Sequence, residues 1–167
     1  MSRAFVKEDD QEEAPFVPPR AALPNSVVNY VTPNGMSQLY NEKDSLIDQR
    51  EKIQALEDEK IRRHELAIVN GKLTLLEQRI NSARVILPDD QPQNEIRFGA
   101  TVELSIDNKI STFQIVGADE SNVKDGKIAF FSPIAKTIIG KKKNDKAVLK
   151  LGKEKRSIEI KQISYLN

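Results

Sequence analysis

The sequence predicts an α+β protein, an N-terminal antiparallel helical hairpin (a coiled coil) followed by a small β-sheet domain with one short helix. Three observations carry this reading. Residues 34–87 hold one long helical pattern without an internal proline, residues from Ile96 onward alternate apolar and polar, and Pro88 and Pro92 separate the two. The expected divisions are a flexible acidic and proline-rich tail at 1–31, the hairpin at 32–87, a linker at 88–95 and the sheet domain at 96–167.

The second half of the arm is the clearer. Leu66, Val69, Leu73, Leu76, Ile80, Ala83 and Leu87 follow at alternating steps of three and four, the apolar seam of a helix packed on one partner helix. In the first half Leu39, Leu46 and Ile53 repeat at seven, with Met36 and Leu56 on neighbouring turns, while Lys43 and Arg50 interrupt the stripe. A fold-back at the midpoint, Leu56 to Lys60, pairs the halves antiparallel and puts Glu57, Asp58 and Glu59 at the tip. Thr32 and Pro33 open the first helix as cap and first-turn proline, and Pro88 ends the second at Leu87.

Ahead of the arm, Glu8, Asp9, Asp10, Glu12 and Glu13 precede Pro15, Pro18, Pro19 and Pro24 with neither helical nor strand period, the composition of a flexible leader. Phe5, Val6, Phe16 and Val17 are its docking candidates. Beyond the linker the strand patterns are Val102/Leu104/Ile106, Phe113/Ile115, Ile128/Phe130, Ala147/Leu149/Leu151 and Ile158/Ile160/Ile163. Turn signals at Asp107-Asn108, Asp125-Gly126, Asn144-Asp145 and Gly152-Lys153 predict antiparallel hairpins. Ser132-Pro133 through Gly140 reads as a short capped helix among them.

Composition removes several function classes. With 38% apolar and 31% charged residues and no apolar run near eighteen, the chain reads as soluble, without a membrane span and with a cytoplasmic address. No Cys and one His, His64, exclude disulfides, thiolate metal sites and multi-histidine sites; His64 reads as a solvated helix residue. The formal charge of +1 divides into −2 over 1–33, 0 over 34–87 and +3 over 88–167, too mild an asymmetry to predict nucleic-acid binding.

Specific stretches go further. Phe98-Gly99-Ala100-Thr101-Val102-Glu103-Leu104, Gln114 to Glu120, and Ser132-Pro133-Ile134-Ala135 running to Lys141 resemble the C-terminal domain of the bacterial Gre transcription elongation factors (GreA/GreB-like), an FKBP-like fold. Thr32, Gly35, Leu39 and Leu46, with Asn70-Gly71-Lys72-Leu73 through Ile86, resemble that family's hairpin, so the resemblance spans Val31 to Tyr165. It implies a monomeric partner of RNA polymerase, with the arm in the secondary channel near the transcript RNA. Such a factor is no enzyme and has no cofactor or metal of its own. Its tip carboxylates help hold a magnesium shared with the polymerase active site, which then cleaves backtracked RNA; carboxylate oxygens suit a hard cation.

The sequence departs from that pattern at the tip. The family's acidic signature is absent; read without gaps it falls on Ala55 to Glu59, with Ala55 at the key Glu position, and each helix is about two turns short, ~12 Å of reach. Glu57, Asp58 and Glu59 are the candidate acidic tip, or else a solvated turn. By resemblance Phe131, Ser132, Pro133 and Ile134 form the polymerase-binding loop, with Phe131 replacing a common acid, although Ser-Pro also simply starts a helix. Arg62 and Arg63 resemble the family's RNA-facing basic patch, guanidinium being suited to phosphate, and a solvated helix face explains them equally. Lys141, Lys142, Lys143, Lys146 and Lys150 lack interleaved aromatics and read as a solvated loop. The readings that follow are transcript cleavage on arrested complexes or non-cleaving modulation of the polymerase. An FKBP-like prolyl isomerase is the reading from another class, weakened by the absence of Trp.

Overall fold

A computed structural model describes residues 13–166. Helices α1 (Pro33–Gln54) and α2 (Glu59–Ser82) pack antiparallel as the arm. Thr32 caps α1, its hydroxyl accepting from Gly35 N at 2.9 Å with Pro33 following, so two of the free first-turn positions are resolved by sequence alone. The two seams face each other: Leu39, Leu46 and Ile53 meet Val69, Leu73 and Leu76, with Met36, Ile47, Leu66, Ile80 and Ala83 around them. Lys43, which interrupts the stripe, reaches Glu77 of α2 at 3.2 Å, so its charge lies on the rim of the seam rather than in it.

The seam ends earlier than its period predicts. Helix α2 stops at Ser82, and Leu87 is 49% exposed. The cause is tertiary: β2 (Arg84–Val85) pairs in parallel with β1 (Tyr30–Val31), and Asn29 Nδ2 donates to the carbonyl of Arg79 at 2.9 Å, taking an orphan acceptor of the last turn. Leu56 likewise leaves the seam, 39% exposed at the tip.

Strands β3 (Thr101–Ile106), β4 (Lys109–Val116), β5 (Lys127–Ala129), β6 (Lys146–Leu151) and β7 (Glu154–Ser164) form one sheet in the order β5-β4-β3-β7-β6. Asp107 and Asn108, both at positive φ (47° and 67°), make the two-residue turn that matches strand twist between β3 and β4. The expectation of hairpins throughout fails at β5, which pairs with β4 in parallel. Residues 117–126 cross back before β5 begins, and on that path Asp119 and Glu120 meet the arm. Val102, Leu104, Ile115, Ile128, Leu149, Ile158 and Ile160 bury one sheet face under α3 (Pro133–Ile138), whose Ser132 cap accepts from Ala135 N at 3.3 Å.

The segment before the arm also differs from a flexible tail where it is described. Val17 lies on Gly71, Ala21 accepts a hydrogen bond from Arg79, and Arg20 is paired on two sides. It has no helix or strand until Tyr30, so its period is uninformative; side-chain ion pairs position it. Phe16 is 75% exposed, and Phe5 and Val6 lie outside the described residues.

Candidate functional site

Two places carry the residues singled out by sequence: the arm tip, and the loop entering α3. At the tip the chain turns between Gln54 and Glu59, with Glu57, Asp58 and Glu59 all exposed. Asp58 is the N-cap of α2, its Oδ1 accepting from Ile61 N at 3.0 Å. Glu59, in the first turn, lies 3.4 Å from Arg63. Arg62 reaches back across the turn and donates to the Leu56 carbonyl at 2.7 Å, closing it. Local chemistry thus accounts for two of the three carboxylates: acids at a helix N-terminus meet free N–H groups and the positive end of the helix dipole. Among the described residues no group of three His, Asp or Glu converges where a metal could sit. Leu56 and Ile61, 39% and 52% exposed, give the tip an apolar flank.

At the other place, Phe131 stacks edge-on against Phe130, ring centroids 5.2 Å apart, and Phe130 packs in turn on Phe98 and Tyr30. Pro133 is exposed, Ser132 is consumed as the α3 cap, and Ile134 packs partly against the core. Of the four loop residues Pro133 is the exposed one, and Phe131, Ser132 and Ile134 are half-buried. Lys142 and Lys143 are exposed in the turn before β6, closed by Lys142 N donating to Asp145 at 2.8 Å. His64 is exposed, as a solvated residue should be.

Sequence reasoning missed what joins these places. Asp119 takes Arg20 at 2.8 Å from the leading segment and Arg79 at 3.1 Å from α2, the latter an ion pair rather than an aligned hydrogen bond. Next to it, buried Glu120 accepts from Thr32 Oγ1 and, at 3.0 Å, from Asn34 Nδ2, and stands 3.5 Å from Lys127 Nζ. One carboxylate pair on the β4–β5 connection thus grips the start of α1 and the end of α2, fixing the arm on the sheet. Gly117 allows the approach, since a Cβ there would meet the Tyr30 carbonyl oxygen at 2.3 Å. The available signal was Gly117-Ala118-Asp119-Glu120 directly after an apolar strand, where glycine marks close backbone approach.

The family model "Transcription elongation factor, GreA/GreB, C-term" matches residues 91–165. The GreA elongation factor of Acidiphilium cryptum is 36% identical over 105 residues, covering 62% of this chain and 67% of that protein. GreA of Thioalkalivibrio sulfidiphilus is 34% identical over 107 residues, covering 62% and 68%. Among solved structures, Gfh1 of Thermus thermophilus is 20% identical with a TM-score of 0.38, covering 80% of this chain and 97% of its own. A GreA/GreB factor from Nitrosomonas europaea is 14% identical with a TM-score of 0.40, covering 83% and 99%. The sequence matches carry the assignment: this chain belongs to the GreA/GreB family of transcription elongation factors.

Proposed function

We propose that this chain binds RNA polymerase with its arm in the secondary channel and the sheet domain at the entrance, and modulates the enzyme without supplying a ligand to its catalytic magnesium. The tip carries this reading. Ala55 stands at the position of the key acid in the resembling family, Asp58 is spent on capping, and Glu59 faces Arg63. Coordination tolerates errors of only tenths of an ångström. Helix α1 has 22 residues, about 33 Å, so a tip about two turns short is not brought into range by side-chain rotation. Docking falls to Phe131 and Pro133, with Ser132 and Ile134 holding the loop in shape.

The second reading, stimulation of transcript cleavage, is favoured by one observation: the carboxylate of Glu57 is exposed and, among the described residues, takes part in neither the cap nor an ion pair. The isomerase reading loses ground, because two clefts beside the sheet, ≈ 590 Å³ and ≈ 500 Å³, have no aromatic lining among the described residues. The deciding assay is cleavage of labelled transcript in a backtracked elongation complex, with binding measured in parallel. Binding without faster cleavage is the expected result. Cleavage that rises with the protein and falls in Glu57→Ala would replace the first reading by the second.

A further inference from the structure

Residues 141–157 hold eight basic and two acidic residues, a net +6, in a chain whose total is +1. The fold turns that run into a surface. Lys146 and Lys150 lie in β6 rather than in a loop, and β6 pairs antiparallel with β7 so that Lys150 stands directly opposite Lys155, and Val148 opposite Ser157. Strand β3 ends at Ile106, opposite Ile158, while β6 and β7 run on. Beyond that point they stand as a two-stranded ribbon, and every residue from Lys150 to Ser157 is exposed.

Lys146, Val148, Lys150, Lys155 and Ser157 share one face of the ribbon by strand alternation, the face turned away from buried Leu149 and α3. Lys153 lies in the turn between the strands. Among the described residues none of these four lysines forms an ion pair, whereas Glu154 is taken by Arg156 and Glu159 by Lys161. Like charges directly opposite on paired strands are destabilising. An anion lying across Lys150 and Lys155 removes that cost.

The residue types select among anions. Protein interfaces are depleted of lysine and anchor on aromatic rings and arginine, which this face lacks, and single-stranded nucleic acid needs rings on which bases stack. A phosphate backbone needs only point charges and short polar donors. Ser105, Asn108 and Ser157 line a cleft of ≈ 590 Å³ beside Lys146 at the ribbon's base, where Asp107 is already engaged by Ser157 N at 3.1 Å. A two-stranded ribbon fits the major groove of B-DNA, about 12 Å wide, but not the narrow one of duplex RNA. We propose that the β6–β7 ribbon binds the phosphate backbone of duplex DNA without regard to sequence, through Lys150, Lys153 and Lys155 with Lys146 at its base. The site is apart from the arm and from the loop entering α3 and operates on the free protein, so it stands or falls independently of the polymerase reading.

Fluorescence anisotropy of a labelled duplex of about 20 base pairs, titrated with the intact protein at salt from about 25 to 200 mM, tests the site. The logarithm of affinity is expected to fall with that of salt at a slope of about −2.7 to −3.6, three or four phosphates at about 0.9 each, and equally for two unrelated sequences. Lys150→Ala/Lys155→Ala should make the slope shallower by about 1.8, while Lys52→Ala/Lys60→Ala, exposed on the arm, leaves it unchanged. The ribbon variant should melt no lower than the parent, since it removes a like-charge pair. No binding by the parent at the lowest salt, a slope indifferent to the ribbon pair, or tighter binding of the single strand overturns the proposal. So does a ribbon variant that loses affinity for polymerase and not for DNA, which would make the partner an acidic protein surface.

Discussion

Arg20 Nη2 stands 2.8 Å from Asp119 Oδ1, joining positions 99 apart, while its Nη1 pairs with Glu42 at 2.7 Å. The hydrogen bond to Glu42, with that to Asp119, outweighs burial and raises the guanidinium pKa above its ordinary value. A raised cationic pKa contributes stability below the unfolded value and loses it as pH rises through the folded one. For arginine both lie far above neutral pH, so its charge in the clasp is constant in ordinary buffers. Arg20→Ala is expected to cost about 1–2 kcal/mol, between exposed and fully buried pairs, since Arg79 remains on Asp119. A lower urea midpoint at unchanged m-value checks it.

Gly117 and Gly35 both sit at the grip on the arm, with different neighbours. A Cβ at Gly117 would come 2.3 Å from the Tyr30 backbone oxygen, whereas at Gly35 it would come 2.6 Å from the side-chain Oε2 of Glu120. Backbone in the β1–β2 pairing cannot yield without breaking that ladder, but Glu120 can swing aside and forfeit its bonds. Gly117→Ala should therefore lose more than Gly35→Ala, beyond about 2 kcal/mol, in parallel thermal melts.

Tyr165 gives the protein an alkaline limit. Its hydroxyl donates to the Glu95 carbonyl and accepts from Arg97 N at 2.9 Å, and burial raises its pKa above that of a free tyrosine despite the Arg97 bond. A neutral acid favoured in the fold stabilises below the unfolded pKa, about 10, and that share is lost as pH rises past it. Tyr165→Phe should be less stable near pH 8 by about 1 kcal/mol, the net value of a hydrogen bond. Its stability should also fall less steeply than the parent's above pH 10, as read by unfolding at stepped pH.

Asp58→Ala and Glu57→Ala separate architecture from contact at the tip. Removing the Asp58 cap should cost about 1 kcal/mol, visible as earlier fraying of α2 in hydrogen exchange. Glu57→Ala, at an exposed position, should leave stability within about 0.5 kcal/mol and report only on what the tip touches.

Pro133→Ala tests docking cleanly because Pro133 is exposed at the first turn of α3, where its missing N–H is not needed. We expect an unchanged melt and a polymerase affinity weakened about fivefold, in a titration where Phe131→Ala serves for comparison. Ile134→Asp is the poorer probe, since Ile134 packs on the core.

The arm was legible because period is a local property. Steps of three and four from Leu66 to Ala83 admit one packed helix, and Thr32-Pro33 and Ser132-Pro133 announce their caps through chemistry within three residues. The alternation from Val102 to Ile163 likewise fixed which face of each strand is buried. Tertiary structure decided what those signals do not contain. Helix α2 stops at Ser82 because β2 finds β1, about 54 residues away, and β5 runs parallel because the chain first detours to deliver Asp119 and Glu120 to the arm. Arg20 and Val17 are placed by partners on α1, α2 and the β4–β5 connection, and no pattern within a leader rich in proline could announce them. Periodicity encodes which face of an element meets apolar surroundings; it does not encode which distant carboxylate will meet an arginine, and here those few ion pairs set the arm on the sheet.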